Sequence, residues 1–121
     1  AFERYSRLFA GYLVDIFNLP PEKQADAILV NGDWDIPLVN AACEIHGKTP
    51  GKDVLIAGYD NKFDSGPFLN FNSFPPAFTV DKQHDLTGEK MVDLLVDQIN
   101  SASGAESPKH IKIEAKIIEE I

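Results

Sequence analysis

The chain has 121 residues, 44% of them apolar and 25% charged, which suits one compact globular domain. Its formal net charge is −8 and its acidic residues are spread out, so this chain alone is expected to bind nucleic-acid phosphates poorly. It contains no apolar run of the roughly 18 residues that a membrane span needs, and we expect no signal peptide at its start. The single cysteine, Cys43, excludes an internal disulfide and is compatible with a reducing cytoplasm.

Hydrophobic periodicity predicts helices and strands in alternation. Apolar residues at helical spacing predict three helices, over residues 5–18, from Pro37 to near Gly47, and over 85–100. Apolar runs predict strands over residues 26–30, 53–57, 77–80 and 110–118, the last as a half-exposed or edge strand. Asp35 is placed to cap the second helix, and Gly47 suits its C-terminal end. Loops are predicted over 58–76 and 101–108.

The order of these elements predicts an α/β fold, a parallel sheet with helices on both faces. Ligands of such sheets bind beyond the carboxyl ends of the strands. The loops NGDWD and GYDN both follow strands and both carry acids, so we expect a polar binding site there. Asp33 and Asp60 would accept hydrogen bonds from ligand hydroxyl or N–H groups, with Trp34 as an aromatic wall. The alternative for Asp60 is a structural role as the cap of a turn.

Catalytic and cofactor motifs are not found in the sequence. Cys43 lies on an apolar helix face and is predicted to be a core residue, not a nucleophile. The three histidines are scattered without ligand spacing, and no phosphate loop or dinucleotide fingerprint is present. A phosphoacceptor receiver domain, with Lys82 as its lysine, would need an acid pair after the first strand, and that pair is missing. We therefore predict a non-enzymatic protein without a cofactor or metal.

Three stretches together resemble the C-terminal half of the effector domain of LacI/GalR-type transcription regulators: DAILVNGDWD, GKTPGKDVLIAGYDN and PPAFTVDKQHDLTG. In that family a DAIFxxND strand precedes a helix, a G…P-x-DV-x-x-x-G-[FY]-D-[DN] strand and loop follow, and PPLTTVxQ…LG comes later. The resemblance covers nearly the whole chain. It implies a type I periplasmic-binding-protein fold, in which two α/β subdomains close on a small effector, usually a sugar or purine, and thereby change DNA affinity.

The resemblance also implies positions that contact the effector. Asp60 matches the family acid that accepts hydrogen bonds from it. Gly32 and Asp33 match an Asn-Asp pair, and because Gly32 has no side chain we expect Asn31 to replace the missing amide. Lys82 lies where the chain of the family crosses from one subdomain to the other. The family commonly has a ligand-touching glutamine at this position, so a lysine here changes the charge and the reach of the side chain.

Further positions follow from the same alignment of motifs. Asp81 lies beside Lys82 at the crossover, and Ser6, with its neighbour Tyr5, falls where relatives often stack an aromatic side chain on the ligand. The predicted ligand-binding residues are therefore Asp60, Asp33, Asn31, Trp34, Asn61, Lys82, Asp81, Tyr5 and Ser6.

The family carries a helix–turn–helix, a hinge and a whole N-terminal subdomain before the matched stretch, so the resemblance implies that this chain is a fragment. Residues 1–81 and 109–121 would form the C-terminal subdomain, and 82–108 the crossover and a helix of the N-terminal subdomain. We expect that helix to associate with a second copy through Met91, Val92, Leu95 and Ile99, and the alternative is that it folds back onto its own sheet. The parent is expected to be a cytoplasmic, homodimeric regulator that binds DNA through a domain absent here. A secreted sugar-binding protein of the same fold is the alternative.

Overall fold

The computed structural model of the protein describes residues 1–101 and 109–119. The helices of this part are α1 (Phe2–Phe17), α2 (Ile36–Ile45) and α3 (His84–Asn100). Its strands are β1 (Ala27–Leu29), β2 (Leu55–Ala57), β3 (Thr79–Asp81) and β4 (Lys116–Ile118). Short 3-10 helical turns cover Pro21–Lys23, Asp33–Asp35 and Phe63–Ser65. Most of the predicted loop 101–108, and the end of the chain at 120–121, lie outside the described residues.

Every predicted helix and strand is found at its place in the sequence, although the strands are shorter than predicted. At the end of α2, Gly47 has φ 72°, and its N–H donates to the carbonyl of Glu44 at 2.9 Å, which confirms the predicted helix end. The predicted side-chain cap by Asp35 is wrong. Asp35 has a helical backbone (φ −88°, ψ −8°) because a 3-10 turn leads directly into α2, whereas a capping residue needs an extended backbone.

The strands β1 and β2 pair in parallel, and their register places Ile28 beside Ile56. A parallel bridge between Ala57 and Phe78 continues the pairing towards β3, and the N–H of Gly58 donates to the carbonyl of Phe78 at 2.8 Å. β4 pairs antiparallel with β3. The predicted α/β class with a parallel sheet and helices is confirmed, with an antiparallel fourth strand as an addition.

The core lies between the sheet and the pair of helices α1 and α2. It contains Ala10, Leu13 and Phe17 of α1, Val39, Ala42 and Cys43 of α2, and Val30, Ile36, Val54, Ile56 and Phe63. On the opposite face of the strands, Leu29 is 68% and Leu55 is 51% exposed. No helix of the described residues buries these two side chains, so the helical cover predicted for both faces is seen on one of them.

The helix α3 has no buried residue, and most of its residues are exposed. Its large apolar side chains are therefore open to solvent, and they include Met91, Val92, Leu95, Val96 and Ile99. Within the described part of the chain, no helix is both long enough and apolar enough to cross a membrane.

Candidate functional site

Loops from the carboxyl ends of β2 and β3 enclose a polar cleft of about 340 Å³. Its lining residues are Asp60, Asn61, Lys62, Asp81, Gln83, His84, Asp85 and Leu86. The cleft lies at the sheet edge where the sequence predicts a site, because parallel strands end together at that edge.

Asp33 holds these loops in place from beneath. Its side chain is 1% exposed, and its two oxygens accept hydrogen bonds from the N–H of Tyr59 (2.7 Å) and the N–H of Lys62 (2.9 Å). The Thr79 hydroxyl lies 2.9 and 2.8 Å from the same two oxygens. In return, the N–H of Asp33 donates to the carbonyl of Tyr59 at 3.0 Å. A buried carboxylate needs such donors, so Asp33 ties the ends of β1, β2 and β3 together.

Gly58 is the residue that lets Asp33 approach the chain so closely. A Cβ atom at Gly58 would overlap Asp33 Oδ1 and would lie 2.8 Å from Ile36 Cδ1. The glycine therefore marks a close approach of a carboxylate to the backbone, which a larger residue would prevent.

Three residues of the cleft have left-handed backbone conformations although they are not glycines. Asp60 has φ 93°, Asn61 has φ 53° and Gln83 has φ 54°. Asp and Asn tolerate this region better than other residues, yet each such conformation costs free energy and persists only where the surroundings impose it. Strain of this kind concentrates at functional sites.

Asp60 and Lys82 form an ion pair at the rim of the cleft. Lys82 Nζ lies 2.6 Å from Asp60 Oδ1 and 5.0 Å from the centroid of the Tyr59 ring. Oδ1 receives no well-directed hydrogen bond, but Coulomb attraction depends on distance, so the pair holds as an ion pair. Contact with Asp60 raises the pKa of the Lys82 ammonium, which keeps it charged at neutral pH. His84 Nε2 lies 3.7 Å from the same oxygen.

The Asp81 carboxylate accepts hydrogen bonds from other residues of the cleft. Its Oδ1 accepts the N–H of Gln83 at 2.7 Å, and its Oδ2 accepts the Asn61 side-chain amide at 3.3 Å. The bond from Gln83 is the main cause that lowers the pKa of Asp81. Asp81 is therefore a carboxylate at neutral pH, and its support of the loop would be lost only as the pH falls through that lowered pKa.

Two solved structures of LacI-family proteins are similar to this chain. A regulatory protein of the LacI family from Chloroflexus aggregans shares 25% identity, over 93% of this chain and 37% of its own, with a TM-score of 0.70. A LacI regulator from Lactobacillus casei with bound Tris shares 18% identity, over 94% of this chain and 38% of its own, with a TM-score of 0.60. No protein-family model and no curated protein matches the sequence.

The chain has the fold of LacI-family regulators. The predicted resemblance to that family is thereby confirmed, and both of these structural relatives are regulators. The chain spans little more than a third of the LacI-family chains it matches, so the activity and partners of a whole LacI-type protein are proposals here.

The predicted site residues of this LacI-type fold form two groups, according to whether the structure places them at the cleft. The structure brings together Asp60, Asn61, Asp81 and Lys82 at the cleft, with Asp33 beneath them. The second group consists of the other four predicted residues, Asn31, Trp34, Tyr5 and Ser6. Ligand contact by any of these nine residues stays a prediction.

The second group has other contacts in the structure. Trp34 is half exposed and its Nε1 donates to Ser65 Oγ at 3.1 Å. Tyr5 packs near Phe68, with ring centroids 6.3 Å apart, and the buried Ser6 hydroxyl donates to the carbonyl of Phe2 at 2.8 Å. Asn31 is exposed on the loop before Asp33.

Sequence reasoning missed Thr79, Gln83 and His84. Thr79 is a strand residue without any motif of its own, and only the contact with Asp33 reveals its role. Gln83 and His84 directly follow the predicted Lys82, and the αL backbone of Gln83 turns the chain into α3. That turn brings His84 close to Asp60. The position of His84 two residues after Lys82 is the sequence signal that could have indicated this.

Cys43 is a core residue, as predicted. Its side chain is buried, and burial, followed by the charge of Glu44, raises the pKa of the thiol to about 11. A thiol with such a pKa is not a nucleophile at neutral pH. Among the described residues, no group of three or more His, Cys, Asp or Glu side chains could hold a metal ion.

Proposed function

We propose that this chain is the effector-sensing part of a LacI-type transcriptional regulator and binds a sugar or purine-like small molecule. The observation that carries the proposal is the polar cleft at the carboxyl edge of the sheet, with Asp60 at its rim. In this proposal DNA is bound only by a domain outside this chain, and the protein acts in the cytoplasm. Ligand binding would change DNA affinity by favouring one arrangement of subdomains over another.

We propose that the chain contributes to two subdomains. Residues 1–81 and 109–121 would form one subdomain, since β3 and β4 pair with each other. Residues 82–108 would cross to the second subdomain and supply α3 to it. The exposure of α3 supports this division, because a helix with an apolar stripe and no buried residue needs a surface to pack on.

The first test is a thermal-shift screen of the full-length protein against sugars, sugar phosphates, purines and nucleosides. A ligand that binds only the folded state raises the melting temperature. If every class leaves the melting temperature unchanged, the effector-sensing function is contradicted. A signal peptide encoded upstream, without a helix–turn–helix, would instead support a secreted sugar-binding protein.

Asp60→Asn is expected to weaken binding of a screened ligand by about 1.5–3 kcal/mol, the scale of a hydrogen bond to a charged group. Asparagine is preferred to alanine because it tolerates the φ of 93° at this position. The unfolding free energy should change far less, since the side chain is 31% exposed. Calorimetry would measure both quantities, with exposed Asp64→Asn as control. Unchanged affinity would leave Asp60 as a structural cap.

We also propose that the chain associates with a second copy through the exposed apolar stripe of α3. Replacing Val92 and Leu95 together by glutamate is expected to abolish association, because it puts charges into an apolar contact. Light scattering over a range of concentrations measures the effect, and Gln98→Glu on the same exposed helix is the matched control. A wild-type chain that stays monomeric at every concentration would contradict this association.

A further inference from the structure

Lys82 directly follows β3, and its side chain reaches Asp60 in the loop that follows β2. Its ammonium carries three N–H donors, of which one direction is taken by Asp60 Oδ1 and another by the face of the Tyr59 ring. The side chain is 39% exposed, so a further donor is accessible to a molecule bound at the rim of the cleft.

Most carboxylate oxygens around the cleft already accept hydrogen bonds or form an ion pair within the protein. Both oxygens of Asp33 accept hydrogen bonds from the loops, and both oxygens of Asp81 accept bonds from Asn61 and Gln83. One oxygen of Asp60 faces Lys82. Among the described residues, Asp85 and the second oxygen of Asp60 receive no hydrogen bond, which leaves them as acceptors for ligand hydroxyl groups.

Groups that are still able to donate also line the cleft. Besides Lys82, they are Lys62, His84 and the first-turn N–H groups of α3, because the N-cap residue Gln83 makes no side-chain cap. At this site two lysines stand beside three aspartates of the cleft and the buried Asp33 beneath them. The formal local charge therefore stays negative, and an anionic group would be attracted only where it contacts a lysine ammonium group directly.

We infer that Lys82 determines specificity at this site, and that the ligand carries a carboxylate or phosphate in addition to hydroxyl groups. The inference rests on the proposed function, because it names the chemical class of that same ligand. The anionic group would pair with the accessible N–H of Lys82, and hydroxyl groups would bind the free oxygen of Asp60. A neutral ligand could accept from Lys82 only through a hydroxyl or carbonyl oxygen, and such a bond is weaker than one between two charged groups.

The test uses pairs of compounds that differ only by the anionic group: neutral sugars, their sugar acids and their sugar phosphates. We expect calorimetric titration of the full-length protein to show binding of anionic members, and Lys82→Gln to raise their Kd about ten- to hundredfold. Lys82→Arg should retain most of the affinity, because it keeps the charge. Lys90→Gln, a substitution on α3 outside the cleft lining, should leave Kd unchanged. Melting curves of each variant report on folding.

Three outcomes contradict the inference, and they are distinguishable from one another. If neutral sugars or nucleosides bind in a manner that depends on Asp60 but not on Lys82, the specificity role is wrong and the proposed function stands. If no compound binds wild-type protein in either the matched pairs or the broader screen, the proposed function fails and the inference fails with it. Equal Kd values for Lys82→Gln and wild type with an anionic ligand also contradict the role of Lys82.

Discussion

Asp33→Ala is expected to lower the free energy of unfolding by about 3–5 kcal/mol. The substitution leaves the N–H groups of Tyr59 and Lys62 and the Thr79 hydroxyl without their acceptor, and each buried unsatisfied donor costs about 1–3 kcal/mol. Urea denaturation measures the change. The matched control is Asp35→Ala, which removes an acid from the same 3-10 turn. Its effect should stay within about 0.5 kcal/mol.

A double-mutant cycle separates this hydrogen-bond network from a general effect of charge. Thr79→Val alone removes the hydroxyl donor, and after Asp33→Ala that donor has nothing left to bond. The two substitutions should therefore be clearly less than additive, by about 1 kcal/mol or more. Additive effects, or an Asp33→Ala variant as stable as Asp35→Ala, would show that Asp33 does not organise the loops.

The elements of the fold were predictable from local pattern. Apolar residues at helical spacing located α1, α2 and α3, because burial of one face sets that period, and apolar runs located the four strands. The sheet edge that carries the cleft was predictable too, since parallel strands end together there. The lengths of the strands and the exposure of Leu29 and Leu55 could not be predicted, because they depend on which other elements pack nearby.

The direction in which each acid points could not be predicted from the sequence. Asp33 and Asp60 both follow strands and read alike as ligand-facing carboxylates. In the structure, Asp33 turns inward and is bonded to Thr79, 46 residues away, whereas Asp60 remains at the rim with Lys82. Two of the donors to Asp33 are backbone N–H groups, which carry no signature in a sequence.

These different directions give the two acids separate tasks. A fixed network beneath the cleft holds the strained conformations of Asp60 and Asn61 before any ligand arrives. A ligand then need not supply the free energy that would order these loops, and preorganisation of this kind raises affinity. Loss of stability at Asp33 and loss of affinity at Asp60 should thus be separable in experiment.

Gly58→Ala is expected to destabilise the chain by about 2–4 kcal/mol, because overpacking costs about 1–3 kcal/mol and a displaced Asp33 carboxylate also loses hydrogen bonds. The added methyl group would overlap Asp33 Oδ1 and crowd Ile36, which is fully buried. Gly11→Ala is the control, since nothing lies within 4 Å of its added Cβ in α1. That substitution should stabilise the chain by about 0.5–1 kcal/mol.

The double variant Gly58→Ala with Asp33→Ala decides the cause of the effect at Gly58. Truncation of Asp33 removes the atom that the new methyl group would strike, and the methyl group then fills part of the space left behind. The double variant should therefore be no less stable than Asp33→Ala alone, which denaturation by urea measures directly. If the losses at the two positions simply add, the crowding comes from Ile36 or the backbone, and Gly58 is not the residue that admits the Asp33 carboxylate.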